Sequence, residues 1–357
     1  MNELSRDAHT NRDAEHLKEL TSLRFFAALV VVLFHMFFEE ASMQTAWQRL
    51  ISDGHLGVDL FFMLSGFILA HVYLSQWHNS RFSYRVFLIN RFARIYPLHL
   101  FMIILFIVAY RTAALLGIES GRTGEVWGDL PWHLLLLHAW GLTNQHSWNF
   151  PSWSVSAEVF AYLIFPLVLF LFGSRRPATA LILALCLFLV LVAVVAVNGL
   201  TLTKMMYQFG ILRILPEFCI GVALYLCFLK IELPVLVARW GSVLIVLLIA
   251  AGAIAQVPEW QIVIALGGLI FLIACLSRSP DSGVLRHPAL VYLGEISYAT
   301  YMVHIFVIVV VDSLPIKQAF PAGLIHVVTL SVIFISSVLL HHAVELPSRR
   351  ILRILLR

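Results

Sequence analysis

Charged residues are scarce in this chain. Of its 357 residues only 12% are Asp, Glu, Lys or Arg, whereas 61% are hydrophobic, and the mean hydropathy is +0.90. A domain with so few polar groups could not cover its apolar surface in water, so the composition excludes an ordinary soluble protein. It predicts a membrane protein that crosses the bilayer several times.

Cysteine is also rare. The four cysteines lie within apolar runs and lack the spacing of metal ligands, which predicts small buried side chains with neither a disulfide framework nor a metal site. A net charge of +4 is too small to indicate a nucleic-acid partner. The first twenty residues contain no apolar core, so a cleaved signal peptide is not expected.

Long apolar runs, in contrast, are abundant. Ten of them have about the 17 to 25 residues that a helix needs to cross a bilayer. They lie near 21–40, 56–76, 96–117, 150–172, 178–198, 206–229, 240–256, 259–277, 290–311 and 319–341. A shorter apolar piece, 130–142, contains His133 and His138 and is expected to lie at the membrane interface or to re-enter it. The sequence therefore predicts an all-α fold, a polytopic bundle of about ten transmembrane helices.

Basic residues are distributed unevenly along these spans. If the N-terminus is cytoplasmic, 18 of the 24 Lys and Arg residues fall on the cytoplasmic side. Because positive charge is retained on that side, we predict that both termini are cytoplasmic. This topology gives a cytoplasmic N-terminal segment, 1–20, a membrane domain, 21–341, and a basic amphipathic cytoplasmic tail, 342–357, that contacts membrane lipids.

An arginine and a histidine interrupt the first apolar run, LRFFAALVVVLFH. Arg24 and His35 are eleven residues apart, close to three helical turns, so both side chains lie on one stripe of a helix. The imidazole would lie roughly 16 Å deeper than the guanidinium. An ionisable group at that depth is costly and therefore indicates a functional site.

The second span, GVDLFFMLSGF, carries Asp59 near its outer end and Ser65 about two turns deeper. A carboxylate at Asp59 could hold the imidazole of His35 and fix its tautomer. Alternatively, Asp59 is a first-turn carboxylate that the helix dipole stabilises.

The segment RFARIYP carries Arg91 and Arg94, three residues apart on one helical face. Two guanidiniums with this spacing can chelate phosphate groups. Arginines beside a membrane also serve as lipid-headgroup anchors, which is the alternative reading. Pro97 is expected to start the third span.

Two later spans also carry polar side chains. The fourth, PSWSVSAEVF, places Trp153, Ser154 and Glu158 in its first turns, where a carboxylate needs a partner. A purely structural ion pair would explain Glu158 equally. In the ninth, Tyr301 and His304 share a helical face, which either lines a polar cavity or joins helices by hydrogen bonds.

In their order along the chain, six segments resemble the acyltransferase family three of bacterial membrane proteins, the O-antigen and exopolysaccharide O-acetylase type. They are LTSLRFFAALVVVLFH, GVDLFFMLSGF, RFARIYP, SWSVSAEVFAYLIFP, LGEISYATYMVH and VELPSRR. The resemblance implies a ten-helix enzyme of the bacterial inner membrane. Such an enzyme transfers an acyl group, usually acetyl, from cytoplasmic acyl-CoA to a hydroxyl of a carbohydrate or glycolipid acceptor, without a metal. Many relatives carry a fused extracytoplasmic hydrolase-like domain. This sequence shows no such hydrolase-like domain, so we expect a stand-alone enzyme or one with a separate extracytoplasmic partner.

The resemblance also implies roles for the residues that match its motifs. We expect His35 to act as base or acyl carrier, in a catalytic site with Arg24, Asp59 and Glu158. We assign donor binding to Arg91, Arg94, Ser65 and Tyr96, and the lining of an acceptor cavity to Trp153, Ser154, Tyr301 and His304.

Two other functions use similar residues. A proton-coupled transporter also needs His, Arg and Glu within the membrane, and a scaffold would use polar side chains only to join helices. The sequence shows no inverted repeat, and most polar motifs lie in the first four spans. Both features favour the enzyme.

Overall fold

The structure is a computed structural model that describes residues 17–37, 45–117, 126–279, 283–314 and 320–355. Most of the predicted N-terminal segment, 1–20, and the last two residues of the predicted tail lie outside the described residues. Within them, the regular structure is helical throughout.

Fourteen α-helices are formed in this part of the chain. They are α1 (Lys18–Phe37), α2 (Ala46–Ser52), α3 (Gly57–His78), α4 (Tyr84–Leu115), α5 (Leu130–Leu134), α6 (Trp153–Phe172), α7 (Pro177–Val197), α8 (Gly210–Lys230), α9 (Val235–Ala255), α10 (Glu259–Leu276), α11 (Pro288–Glu295), α12 (Ser297–Ser313), α13 (Ala322–Leu340) and α14 (Leu346–Leu355).

Among the described residues, nine helical segments are long and apolar enough to cross a membrane. The number becomes ten if α11 and α12, which meet at a 60° bend, form one span. This confirms the prediction of an all-α polytopic bundle with about ten transmembrane helices.

Helix α4 differs from its prediction. It begins at Tyr84, where the Ser83 hydroxyl accepts a hydrogen bond from the backbone N–H of Val86, and Pro97 lies inside it. The prediction that Pro97 starts this helix is therefore wrong. A proline removes one backbone hydrogen bond, which neighbouring groups in a membrane protein can replace, so the helix continues through it. Arg91 and Arg94 consequently lie on the same continuous helix as the apolar run that follows.

The apolar piece 130–142 forms only the five-residue helix α5 and irregular backbone. It is not among the segments able to span a membrane. At the other end of the chain, one turn of π-helix, His341–Glu345, connects α13 directly to α14. Helix α14 is the described part of the predicted amphipathic tail.

The chain divides into two compact units. The first unit comprises Met1–Phe82, Pro166–Thr203 and Leu215–Glu295, and the second comprises Ser83–Phe165, Lys204–Ile214 and Ile296–Arg357. In the first, α1 packs against α3, α10 and α11, while α9 packs against α2 and α10. In the second, α12 packs against α4 and α13, and α14 packs against α4.

The predicted site residues are divided between the units. The first unit contains Arg24, His35, Asp59 and Ser65. The remaining predicted site residues belong to the second.

Within the first unit, α3 and α8 cross at two glycines. A Cβ on Gly66 would overlap the backbone carbonyl of Phe218, and a Cβ on Gly221 would overlap that of Met63. The missing side chains therefore allow the two backbones to touch, which is the usual reason for small residues between membrane helices. This crossing fixes the helix that carries Asp59 and Ser65.

We expect Gly66→Ala to destabilise the protein by about 1–3 kcal/mol, because the added methyl meets rigid backbone. The measurement is the apparent melting temperature in detergent. Gly323→Ala is the matched control, since a Cβ at Gly323 meets no atom within 4 Å. Equal melting temperatures for the two variants would show that the helices do not cross closely at Gly66.

Candidate functional site

The first span carries the predicted stripe. Arg24 and His35 both lie on α1 and are half-buried. The Nδ1 atom of His35 lies 3.0 Å from the backbone carbonyl of Val31. Since a carbonyl oxygen only accepts hydrogen bonds, Nδ1 carries a proton; when the ring is neutral, its lone pair is therefore on Nε2.

The ring of His35 also packs against the neighbouring phenylalanine. The Phe34 ring meets it edge-on with centroids 4.9 Å apart, and the same Phe34 ring lies 5.3 Å from the ring of His55. Phe34 is buried, with 8% of its surface exposed. The two histidines are therefore separated by a single aromatic side chain.

Asp59 and Ser65 lie on α3 in the same unit. Asp59 is completely buried and stands in the first turn of the helix, which is the position that a helix dipole favours for a carboxylate. Ser65 is buried as well, next to the glycine crossing.

A second set of ionisable groups lies between α4 and α6 in the second unit. The hydroxyl of Tyr162 is hydrogen-bonded to Glu158, and the charges of Arg91 and Arg94 act on the same hydroxyl. The structure therefore places Glu158, which was predicted for catalysis, near Arg91 and Arg94, which were predicted for donor binding. The Nε atom of Arg91 is buried and has no hydrogen-bond partner among the described residues, so it remains able to donate to a ligand.

Tyr298 on α12 extends this set. Its hydroxyl donates a 2.7 Å hydrogen bond to the carbonyl of Ile95, and the charges of Glu345 and Glu158 act on it. Glu345 is buried in the π-helical turn, where its carboxylate lies 2.9 Å from Nδ1 of His341. Sequence analysis did not select these three residues. A signal was available, because Tyr298 lies in the matched segment LGEISYATYMVH and Glu345 in the matched segment VELPSRR. His341 comes just before the second of these, in the run HHAVE.

The predicted acceptor residues are only partly brought together. Ser154 donates a 2.8 Å hydrogen bond to the hydroxyl of Tyr301, which itself donates to the carbonyl of Pro151 at 2.8 Å. His304 instead bonds the carbonyl of Tyr301 on its own helix through Nδ1. The guanidinium of Arg213 lies 5.4 Å from the centroid of the Trp153 ring, a cation–π contact. Tyr96 is half-buried, and its ring lies 6.4 Å from that of His99.

Three buried histidines form a stack beside these residues. The rings of His133 and His138 are nearly parallel with centroids 3.9 Å apart, and the ring of His99 lies parallel to His138 at 6.2 Å. Each ring bonds through Nε2: His99 to the carbonyl of His133, His133 to the hydroxyl of Ser147, and His138 to that of Ser152. Their Nδ1 atoms are buried without a hydrogen-bond partner among the described residues.

Hydroxyl groups anchor this stack to the segment that precedes α6. Ser147 donates to Asp129 at 3.1 Å and Ser152 donates to the carbonyl of Asn149 at 2.7 Å, so each serine oxygen is left to accept from a histidine. The stacked rings therefore donate from Nε2 and are neutral. Burial lowers the pKa of His133 to about 3 and lowers that of His138 well below its usual value. Within the described residues no group of three or more His, Cys, Asp or Glu side chains could hold a metal ion.

Comparison with known proteins defines the class. The Acyltransferase domain family matches residues 17–342 of the chain. The chain therefore belongs to this family and is a multi-pass membrane acyltransferase. Family membership decides against the transporter and scaffold alternatives.

Individual relatives agree with this assignment. The chain is 32% identical to Acyltransferase MdmB of Streptomyces mycarofaciens, over 94% of this chain and 92% of the relative. It is 25% identical to YrhL of Bacillus subtilis, over 96% of this chain and 56% of the relative. Peptidoglycan O-acetyltransferase OatA of Listeria monocytogenes is 25% identical over 47% of this chain and 27% of the relative. No solved structure matches the chain.

The histidine stack predicts that stability depends on pH. His133 titrates near 6.5 when unfolded but near 3 when folded, so between these values the unfolded chain binds a proton that the folded chain does not. Stability is complete above about pH 6.5 and falls as the pH is lowered. From pH 6.5 to 5 this one group costs about 2 kcal/mol.

The measurement is the apparent melting temperature in detergent between pH 7.5 and 5. We expect a smaller fall on acidification for His133→Gln, whose amide can still donate to Ser147 but does not titrate. His342→Gln, at an exposed histidine, is the control and should follow the wild type. A wild-type slope in His133→Gln would exclude His133 as a source of the pH dependence.

Proposed function

We propose that this protein is an O-acyltransferase of the bacterial inner membrane. It moves an acetyl group from cytoplasmic acetyl-CoA to a hydroxyl of a carbohydrate or glycolipid acceptor. The similarity to OatA, a peptidoglycan O-acetyltransferase, supports both an acetyl donor and a carbohydrate acceptor. The observation on which the mechanism depends is the hydrogen bond from Nδ1 of His35 to a backbone carbonyl, which leaves the lone pair of the neutral ring on Nε2.

The donor is bound through the arginine pair of α4. Phosphate oxygens of CoA match the guanidiniums of Arg91 and Arg94, and the buried Nε of Arg91 is a donor suited to such an oxygen. Under the predicted topology this end of α4 faces the cytoplasm, where acyl-CoA is found. Donor binding is also proposed for Ser65 and Tyr96.

The chemistry is assigned to Nε2 of His35. In one route Nε2 takes the proton of the acceptor hydroxyl while its oxygen attacks the thioester carbonyl. The tetrahedral intermediate then expels the CoA thiolate, which receives the proton. In the other route Nε2 attacks the thioester and CoA leaves as the thiolate. The acceptor oxygen then displaces the acyl group from the ring, and its hydroxyl proton neutralises the thiolate, so that CoA thiol and the free imidazole are left.

Cationic and anionic neighbours would support either route. Arg24, on the same stripe of α1, is proposed to offset the negative charge that develops on the thioester carbonyl oxygen. Asp59 or Glu158 is proposed to stabilise the imidazolium by its negative charge. Trp153, Ser154, Tyr301 and His304 are proposed to line the path to the acceptor.

His35→Ala should lower acetyl transfer by about 10²–10⁴-fold, because it removes the base or the acyl carrier. The measurement is acceptor-dependent release of CoA from acetyl-CoA by purified protein in detergent. His342→Ala is the control at an exposed histidine. Turnover at the wild-type rate in a folded His35→Ala protein would remove His35 from the mechanism. Radiolabel retained on the wild-type protein without acceptor would select the acyl-carrier route.

Arg91→Gln and Arg94→Gln should each raise the KM for acetyl-CoA by about tenfold to a hundredfold, because each removes a charge-assisted hydrogen bond. The readout is the KM for acetyl-CoA at saturating acceptor. Arg175→Gln, which changes an exposed arginine at the end of α6, should leave this KM unchanged. Unchanged KM values in both α4 variants would contradict the assignment of the donor site.

A further inference from the structure

A large open cavity lies in the first unit, and none of the site residues assigned above lines it. The ends of α1, α7 and α9, the turn before α3 and the start of α10 surround it, and its volume is about 710 Å³. Small-molecule sites commonly have volumes of about 300–1,000 Å³. We call it the head cavity.

The charges of the head cavity come from three side chains. Nδ1 of His55 lies 2.9 Å from the carbonyl of Ser52, and its Nε2 lies 3.3 Å from the carboxylate of Glu259. Both neighbours accept hydrogen bonds, so the ring can donate to both only when both of its nitrogens carry a proton. With Asp53 as the second carboxylic group on the wall, the cavity holds two acidic side chains and one histidine. This set of acceptors disfavours an anionic ligand and suits one that donates hydrogen bonds.

Aromatic side chains complete the walls. Phe34 and Trp260 line the head cavity, together with the hydroxyl-bearing Thr201 and the amide-bearing Gln256. Aromatic rings beside hydrogen-bond acceptors suit a sugar, since its C–H faces are apolar and its rim consists of hydroxyl donors.

A second cavity of about 290 Å³ adjoins the first. Its walls are apolar side chains of α1, α2, α3, α9 and α10, among them Val30, Leu33 and Leu60. Asp53 lines both cavities, so the two are neighbours at this residue. We call it the chain groove. A groove with this lining matches a hydrocarbon chain and offers nothing to a sugar.

We propose that these adjoining cavities bind an amphiphilic acceptor, whose polyhydroxylated head occupies the head cavity and whose hydrocarbon chain occupies the chain groove. The inference rests on the proposed acyl transfer and narrows its acceptor to a glycolipid. The ring of Phe34 contacts both His35 and His55, so the head lies within one side chain of the proposed base. Under the predicted topology the head cavity opens on the outer side of the membrane.

The test uses the full chain in lipid nanodiscs with acetyl-CoA, and release of CoA is measured. Dodecyl β-glucoside and methyl β-glucoside are the two acceptor probes, since they share the head and differ in the chain. A lipid extract of bacterial membranes serves as a third acceptor. We expect a KM for the dodecyl glucoside at least tenfold below that for the methyl glucoside.

Three tryptophan variants locate the effect. Val30→Trp fills the chain groove and should raise the KM for the dodecyl glucoside about tenfold while leaving that for the methyl glucoside unchanged. Thr201→Trp narrows the head cavity and should raise both KM values. Val190→Trp, at an exposed valine of α7 that lines neither cavity, is the matched control and should change neither.

The outcomes separate this inference from the proposed function. Equal KM values for the two glucosides, or an equal effect of Val30→Trp on both, would overturn the amphiphile assignment. Turnover with the methyl glucoside but not with the dodecyl glucoside would also overturn it. If none of the three acceptors causes release of CoA, the proposed function itself is rejected.

Discussion

Hydrocarbon offers a polar side chain no hydrogen-bond partner, and this constraint explains how the functional groups of the protein are held. Each one must find its partner within the chain, because an unsatisfied group in lipid costs several kcal/mol. Backbone carbonyls are repeatedly that partner. Val31 accepts from His35, Ile95 from Tyr298, and Pro151 from Tyr301. These bonds orient the rings without adding charge, so the ionisable groups stay available for chemistry.

Close packing supplies the second part of the arrangement. The segment GVDLFFMLSGF carries both Asp59 and Gly66, and the glycine lets α3 approach the backbone of α8. A side chain at Gly66 would separate the two helices and shift the carboxylate of Asp59 on the same helix. The histidine stack has a comparable role in the second unit, where His133 and His138 anchor the segment preceding Trp153 and Ser154 through Ser147 and Ser152.

Much of the fold could be predicted because a membrane span is determined by consecutive apolar residues. The prediction failed where the local signal was mixed. The first part of α4 carries Arg91 and Arg94 and precedes a proline, so the sequence predicted that the span starts at Pro97. Its Ser83 cap and its packing against α12 and α14 instead make one continuous helix. The contacts within the predicted site could not be read from the sequence. Ser154 donates to the Tyr301 hydroxyl, and His304 bonds the carbonyl of Tyr301 while its ring lies 5.6 Å from the Tyr301 ring.

The sequence by itself determined that this is a many-span membrane protein, that Arg24 and His35 share one stripe, and that Arg91 and Arg94 share one helical face. These features follow from the period of a single helix and need no knowledge of its neighbours. Only the tertiary structure decided that the Tyr162 hydroxyl bonds Glu158 near the arginines of α4. The same holds for the pair of His341 and Glu345 in the π-helical turn, and for the contact between His55 and Glu259 on the wall of the head cavity. Hydropathy sets which segments enter the membrane, but it is nearly the same on every face of such helices. The choice of contacting faces therefore depends on small residues and polar partners that come from distant parts of the chain.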